Sequence, residues 1–246
     1  MTATDGLLDR FLIGLAPLAP VAVWAHGSLA GGDYQQGRSD LDLIAVLDGP
    51  VTMATVRRLV VLHRGLRTEP LAADLHCSYL TPDTLDDLDL RHLTWAHDHV
   101  MRRTVTPVTR RELHAFGRVL HGRAPADLLP AVQDRELDEF VVGDQRDFWR
   151  PAVDKARLWT QDIWVDLGLL TFARATATLR HGRLISKREA LELLPELGAP
   201  VEVVEDVGLR RYGRPVSRGA EWTVCRGELT RSYLGPAIDA LVASYD

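Results

Sequence analysis

Two aspartates, two residues apart, are the first residues along this sequence whose types and spacing could do chemistry. Asp40 and Asp42 stand at the start of the apolar run LDLIAVL, residues 41–47. On a β-strand, side chains at positions i and i+2 leave the same face about 6–7 Å apart. Carboxylates held this close repel each other unless a cation lies between them. Because Mg²⁺ prefers oxygen ligands and commonly binds substrate phosphates, the pair predicts a magnesium site.

A third acid is expected on a neighbouring strand, where it would complete the set of metal ligands. Asp74 lies in the middle of the run LAADLHCSYL, residues 71–80, with apolar residues on both sides. We interpret this run as a strand. We therefore predict that Asp74 lies beside Asp40 and Asp42 and binds the same metal.

A glycine and a serine upstream of the aspartate pair could bind phosphate. The run VAVWA, residues 21–25, predicts a short buried strand, and Gly27 and Ser28 follow it. Glycine lets the backbone approach a ligand closely, and N–H groups at the start of a helix favour an anion. A Gly-Ser phosphate site followed by an Asp-x-Asp metal site describes one binding site, for a nucleoside triphosphate with Mg²⁺.

Other interpretations of the aspartate pair stay open at this point. Asp40 could cap a turn while Asp42 lies on an exposed edge strand. A calcium-binding EF-hand loop beginning at Asp33 is excluded, because Arg38 stands where that loop needs glycine and Ile44 where it needs glutamate.

Three histidines, His92, His97 and His99, lie close together in the run HLTWAHDH. Their spacing does not match the usual ligand spacings of zinc sites, so zinc is the weaker alternative. The sequence also lacks the dinucleotide and P-loop phosphate motifs and the GxSxG motif of serine hydrolases.

The elements that must position these residues alternate between helix and strand in the first half of the chain. We predict a helix at 6–15, strands at 21–25 and 41–47, a helix from Thr52 to about Arg67, a strand at 71–80 and a helix after Pro82. Beyond residue 110 the strand signals fade, with a helix at 110–122, a connecting region at 125–150 and helices from about 153 to 195. The fold class is therefore α/β (α+β) with a small mixed sheet over residues 1–135, followed by an all-α domain over residues 136–246.

Composition limits the classes of partner. The chain has 246 residues with a formal net charge of −5, which argues against a broad nucleic-acid surface. Cys77 and Cys225 cannot form a disulfide framework, and the N-terminal residues lack the features of a signal peptide. No run approaches the ~20 apolar residues of a membrane helix. We expect a cytoplasmic monomer that acts on small molecules.

The order of these motifs resembles the signature of the nucleotidyltransferase superfamily, which has the fold of DNA polymerase beta. The resemblance rests on Gly-Ser at 27–28, Ser-Asp-Leu-Asp at 39–42 and the acid at 74, and covers about 50 residues. It implies that Asp40 and Asp42 bind two metal ions and that Asp74 completes the site and is the candidate base. It also implies that Ser28 and Ser39 bind phosphate. The family commonly has glutamate as the third acid, so Asp74 is one methylene shorter.

A second signal lies in the helical half. Gly182 is a natural stop for a helix, and Ser186 with Glu189 forms a predicted capping box, so Lys187 begins the next helix. A cation at a helix N-terminus opposes the helix dipole. Lys187 is therefore predicted to bind an anion, the alternative being an ordinary solvated lysine.

This half resembles the C-terminal helical domain of the aminoglycoside adenylyltransferases that inactivate streptomycin and spectinomycin. The resemblance is carried by Thr171–Arg174, Gly182, Ile185–Lys187 and Leu194-Pro195. It implies that Arg174 and Lys187 reach the phosphates of ATP. The run GRVLHG, residues 117–122, is similar to the connecting helix of that family.

The family's drug-binding residues do not align cleanly here. Asp162, Trp164 and Asp166 occupy the corresponding neighbourhood, and Trp95 is a further candidate for a cationic, sugar-like substrate. The alternative is that these are ordinary core and surface residues. The expected function is transfer of AMP from ATP to a hydroxyl of an aminoglycoside. The open alternatives are a lincosamide, an RNA end or a protein hydroxyl as acceptor, or a non-catalytic nucleotide-binding regulator.

Overall fold

The structure of the protein is a computed structural model that describes residues 2–216 and 218–245. The chain divides into two compact units, Met1–Val132 and Gln133–Asp246. The first unit contains a β-sheet with helices, and the second is built from helices. Each unit is described by itself below.

A mixed six-stranded sheet forms the centre of the first unit. Its strands are β1 (Pro20–Ala25), β2 (Leu41–Leu47), β3 (Leu75–Leu80), β4 (Arg91–Ala96), β5 (His99–Thr104) and β6 (Arg118–Gly122). The strand order is β5-β4-β3-β2-β1-β6. Strands β2 and β3 run parallel, and every other neighbouring pair is antiparallel. The sheet with its helices confirms the predicted α+β class.

Four helices accompany the sheet: α1 (Ala3–Leu15), α2 (Gly27–Ala30), α3 (Met53–Leu66) and α4 (Pro107–Phe116). Thr52 caps α3 through its hydroxyl, as the sequence predicts. Successive apolar side chains along β1 and β2 point to opposite faces of the sheet, so both faces are buried. Phe11 of α1 and Leu59 of α3 belong to the core on one face, and Leu113 of α4 belongs to the core on the other. The sheet is thus held rigidly between apolar layers, which fixes the ends of β2 and β3.

The predicted helix after Pro82 is wrong. The chain makes one 3₁₀ turn at Pro82–Thr84 and then forms the β4–β5 hairpin. The two residues that link these strands, His97 and Asp98, have φ of 50° and 66°. Positive φ at both positions is the backbone of the tight hairpin turns that normally carry Asn-Gly. The turn was missed because neither of its residues is glycine.

Two further predicted elements need correction. Residues 118–122 do not continue a helix but form β6, which pairs antiparallel with β1. Pairing with a distant strand overrides the helical pattern of this short run. The strand predicted at 71–80 begins only at Leu75, because Leu71 has φ of 67° and Ala72–Asp74 form a 3₁₀ turn. Asp74 therefore precedes the strand instead of lying in its middle.

The second unit contains six α-helices within its described residues: α5 (Asp134–Gly143), α6 (Arg150–Val153), α7 (Asp162–His181), α8 (Lys187–Leu193), α9 (Val201–Tyr212) and α10 (Gly219–Ala243). A π-helical segment, Asp144–Trp149, lies between α5 and α6. The connecting region predicted at 125–150 is therefore largely helical. In the part of the chain that the structure describes, none of the helices combines the length and apolar character needed to cross a membrane.

Candidate metal and nucleotide site

The parallel pairing of β2 with β3 places the polar residues of the two strands next to each other. Leu41 pairs with Leu75, and Asp42 pairs with His76. Asp40 and Asp74 each precede the first pair, so they lie at the adjacent heads of the two strands. This register gathers three carboxylates and one imidazole at a single edge of the sheet.

Asp40, Asp42 and His76 form the tightest part of this group. His76 Nδ1 lies 3.6 Å from Asp42 Oδ1, and His76 Nε2 lies 3.8 Å from Asp40 Oδ1. One ligand atom from each of the three residues lies within 4.8 Å of the others. The side chain of Asp40 is 53% exposed and that of Asp42 33%, whereas that of His76 is 7% exposed. The carboxylates thus face solvent above a buried ring.

The donor set fits a divalent cation. Among the described residues, His76 Nε2 is buried and has no hydrogen-bond partner. The two ring-to-carboxylate distances of 3.6 and 3.8 Å exceed hydrogen-bond length. A buried, unpaired polar atom costs about 1–3 kcal/mol. A cation that binds both carboxylates and one ring nitrogen would remove this cost and the repulsion between the acids.

Asp74 lies beside this group but is not one of the three residues whose ligand atoms meet. Burial, and then the negative charge of Asp40, raise the pKa of the Asp74 carboxyl above its usual value, while His76 lowers it. These interactions place Asp74 in the same electrostatic environment as Asp40. Its role as third metal ligand or base stays a prediction.

Gly27, the first residue of α2, borders the site. Its φ is +59°, and a Cβ built on it would lie 3.1 Å from Asp42 Oδ2. The neighbouring His26 N–H donates to the Asp42 carbonyl at 3.0 Å. Glycine is required here for two reasons, the left-handed backbone and the close approach to Asp42.

The two predicted phosphate-binding serines are differently placed. Ser28 is the second residue of the four-residue helix α2 and is partly exposed. Ser39 is buried, and its hydroxyl accepts a hydrogen bond from the Gln35 N–H at 3.1 Å. Ser39 therefore shapes the loop that leads into Asp40. Phosphate binding by either serine stays a prediction.

Of the three clustered histidines, His97 contacts the site. Its ring meets that of His76 edge to face, with the ring centroids 4.6 Å apart. Burial, followed by His76 and Arg103, lowers the pKa of His97. Within residues 2–216 and 218–245, the group spaced for a metal is Asp40, Asp42 and His76, and it includes neither His92 nor His99.

Arg174 and Lys187 lie in one corner of the helical unit. Arg174 Nε, on α7, donates to the Ile185 carbonyl at 2.9 Å, and Lys187 begins α8. The predicted helix stop at Gly182, with φ of 62°, is confirmed. The predicted capping box of Ser186 and Glu189 is also confirmed. The Ser186 hydroxyl accepts a hydrogen bond from the Glu189 N–H, and the Ser186 N–H donates one to the Glu189 carboxylate. The binding of nucleotide phosphates by the two cations stays a prediction.

The residues predicted to bind substrate have structural contacts of their own. Asp162 forms an ion pair with Arg226 at 2.6 Å, and Asp166 forms one with Arg210. Trp164 stacks on Phe148, with the ring centroids 6.1 Å apart.

Trp95 lies in the core of the first unit, 5% exposed. Its ring stacks on that of His63 at 4.6 Å. These contacts give Trp95, like Asp162, Trp164 and Asp166, a structural role, and substrate binding by the four residues stays a prediction.

His76 is the site residue that sequence reasoning missed. It is the polar residue that follows Leu75 in the strand LHCSYL, two positions after Asp74. A histidine in a buried strand is a signal in itself, because a buried imidazole needs a polar partner. The pairing partner Asp42 could be found only from the parallel register of β2 and β3.

The structure places the aspartate pair at the head of β2, in a mixed sheet with accompanying helices. Among solved structures, the chain is similar to the crystal structure of spectinomycin adenyltransferase AAD(9) from Enterococcus faecialis with ATP and spectinomycin. The TM-score is 0.73 at 16% identity, and the alignment covers 96% of this chain and 98% of that chain. No model of a known protein family matches, and neither does any curated protein sequence. The predicted resemblance to aminoglycoside adenylyltransferases is therefore confirmed at the level of the fold.

Proposed function

We propose that this protein is a divalent-metal-dependent adenylyltransferase that transfers AMP from ATP to a hydroxyl of a small polar molecule. The observation that carries the proposal is the carboxylate pair Asp40 and Asp42, placed with His76 at the heads of two parallel strands. The nucleotidyltransferase fold, which covers 96% of the chain in the alignment with an adenyltransferase, supports it. Mg²⁺, in a two-ion site, is the metal predicted from the sequence.

We assign roles to the residues of the first unit on the family resemblance, and their positions at the heads of β2 and β3 support the assignment. Asp40 and Asp42 hold the cation. When bound, a divalent cation neutralises triphosphate charge and stabilises the attacking and leaving oxygens. Asp74, at the head of the neighbouring strand, accepts the proton of the acceptor hydroxyl. The acceptor oxygen then bonds to the α-phosphorus of ATP, the bond to the β-phosphate oxygen breaks, and pyrophosphate leaves.

Phosphate binding is assigned to residues that the family resemblance selects. Gly27 brings its backbone next to Asp42, and Ser28 follows it with a partly exposed hydroxyl. Ser39 supports the loop before Asp40, and we assign it to phosphate on the resemblance. Arg174 and Lys187 of the helical unit are assigned to the triphosphate on the same basis.

The proposed acceptor is an aminoglycoside antibiotic of the streptomycin or spectinomycin type. Its support is the structural neighbour, a spectinomycin adenyltransferase whose crystal structure contains ATP and spectinomycin. A cationic, hydroxyl-rich acceptor also agrees with the net charge of −5 of this chain. The resulting activity would confer antibiotic resistance.

The test is the mass of the acceptor after incubation with purified protein, ATP and Mg²⁺ or Mn²⁺. We expect an AMP adduct with streptomycin or spectinomycin, and its loss in Asp40→Asn. Asp48→Asn is the matched control, because Asp48 is exposed just beyond the opposite end of β2. An adduct only on a lincosamide, an RNA end or a protein would contradict the proposed acceptor. ATP binding without an AMP adduct on any acceptor would contradict the proposal that the protein is an adenylyltransferase.

A further inference from the structure

We propose that His76 is a nitrogen ligand of the metal, and that the site therefore prefers Mn²⁺ to Mg²⁺. The inference deepens the proposed function. It rests on that function only for the statement that the bound cation serves nucleotide binding. It changes the predicted ligand set from three carboxylates to two carboxylates and an imidazole.

The position of the His76 ring is the first argument. The ring is buried, lies between the two carboxylates, and is 3.6 Å from Asp42 Oδ1 and 3.8 Å from Asp40 Oδ1. Two ligand atoms on one ion with bonds of about 2.1 Å lie roughly 3–4 Å apart. The separation between Nε2 and Asp40 Oδ1 is therefore of the size that a shared cation requires, and both separations are too long for direct hydrogen bonds.

The unsatisfied nitrogen is the second, independent argument. In the described part of the chain, His76 Nε2 has no hydrogen-bond partner, although its residue is only 5% exposed. A ligand nitrogen of histidine points its lone pair at the metal, while the other ring nitrogen faces a carboxylate or another acceptor. Here Nδ1 faces Asp42, which leaves Nε2 as the metal ligand.

The chemistry of the donor set selects the ion. Mg²⁺ binds oxygen ligands in near-ideal octahedral geometry and rarely takes nitrogen. Imidazole binds first-row transition ions more strongly, and Mn²⁺ is the one that also suits carboxylate, water and phosphate oxygens. Zn²⁺ favours closed sites rich in nitrogen or sulfur, whereas Asp40 and Asp42 are two partly exposed oxygen donors. Mn²⁺ is therefore the ion that suits all three residues.

The experiment is Mn²⁺ titration of the whole protein followed by electron paramagnetic resonance, with Mg²⁺ as competitor and without nucleotide. We expect Mn²⁺ to bind more tightly than Mg²⁺, so that Mg²⁺ displaces it only when present in excess. Pulsed measurements should show the magnetic coupling of bound Mn²⁺ to a ¹⁴N nucleus. In His76→Asp, which replaces the nitrogen with an oxygen, the ¹⁴N coupling should disappear and the preference for Mn²⁺ should shrink.

His92→Asn is the matched control for this substitution. His92 is also buried on the same sheet with a ring nitrogen that has no partner among the described residues, but it is outside the aspartate pair. The control should keep both the coupling and the preference. Circular dichroism checks that each variant folds, and the ¹⁴N signal of the unmodified protein decides the question even if His76→Asp does not fold.

The two proposals fail separately. Bound Mn²⁺ without ¹⁴N coupling, or Mg²⁺ binding as tight as Mn²⁺ binding, overturns the role of His76 and leaves AMP transfer standing. If bound Mn²⁺ shows ¹⁴N coupling but the protein modifies no acceptor, the proposed adenylyltransferase activity is wrong and the proposed metal site is supported.

Discussion

Replacing Gly27 with alanine would test directly how the backbone shapes the metal site. Gly27 has φ of +59°, and a Cβ built there would lie 3.1 Å from Asp42 Oδ2. Gly27→Ala therefore has two separate effects. It strains the backbone in the left-handed region, and it pushes a proposed metal-binding carboxylate by a few tenths of an ångström.

Gly32 separates the two effects. Its φ is +76°, and no atom of the described residues lies within 4 Å of a Cβ built on it. An alanine in the left-handed region costs about 1–2 kcal/mol, so Gly27→Ala and Gly32→Ala should both lower the free energy of unfolding by that amount. Only Gly27→Ala should also weaken Mn²⁺ binding, by about ten-fold or ~1.4 kcal/mol, because only it displaces a ligand.

Urea unfolding followed by circular dichroism measures the stability of both variants, and Mn²⁺ titration measures the affinity. The predicted pattern is equal destabilisation with unequal metal binding. Equal Mn²⁺ affinity in the two variants would refute the reasoning, because it would mean that the Asp42 carboxylate does not hold the ion or is not constrained by Gly27.

Three further predictions concern stability. Burial lowers the pKa of His63 from its usual 6.5 to about 3, so the folded protein resists a proton that the unfolded chain takes up. The stability contributed by the neutral ring is fully present above pH 6.5 and is lost as the pH falls towards 3, with a loss of about 2 kcal/mol by pH 5. In His63→Gln, urea unfolding at a series of pH values should no longer show this loss. An unchanged slope in that variant would be inconsistent with the burial of a neutral ring. Gly168→Ala should destabilise by about 1–3 kcal/mol, because its Cβ would lie 2.7 Å from the fully buried Trp159. Gly208→Ala, which has open space on α9, should not destabilise, and thermal melts that fail to separate the two would refute the packing argument. Asp206→Asn should cost about 1–3 kcal/mol in the same melts, because it removes the charge that Arg210 and Arg226 share while each arginine keeps a second carboxylate, and a loss near zero would contradict this.

Local signals account for what the sequence predicts well. The strand at 41–47 matches β2, because an apolar run between a polar loop and Asp48-Gly49-Pro50 has clear limits. The caps at Thr52 and Ser186 depend only on residues within three positions. Each of these elements is determined by its own neighbours, so single-sequence reasoning finds it.

Pairing between distant segments explains the features that single-sequence reasoning misses. Strand β6 exists because it pairs with β1, and nothing within 118–122 indicates that pairing. The β4–β5 hairpin turns on His97 and Asp98 instead of the glycine that such turns usually contain. His76 becomes a candidate ligand only through the parallel register with Asp42. The aspartate pair was visible in the sequence, but its buried imidazole neighbour was not.

The most direct test of the central claim is transfer of label from ATP carrying ³²P at the α-phosphate to spectinomycin or streptomycin. The account predicts labelled drug with the unmodified protein and with Gly32→Ala, and none with Asp42→Asn. Equal labelling by Asp42→Asn, or no acceptor-dependent label from a protein that binds ATP, would contradict it.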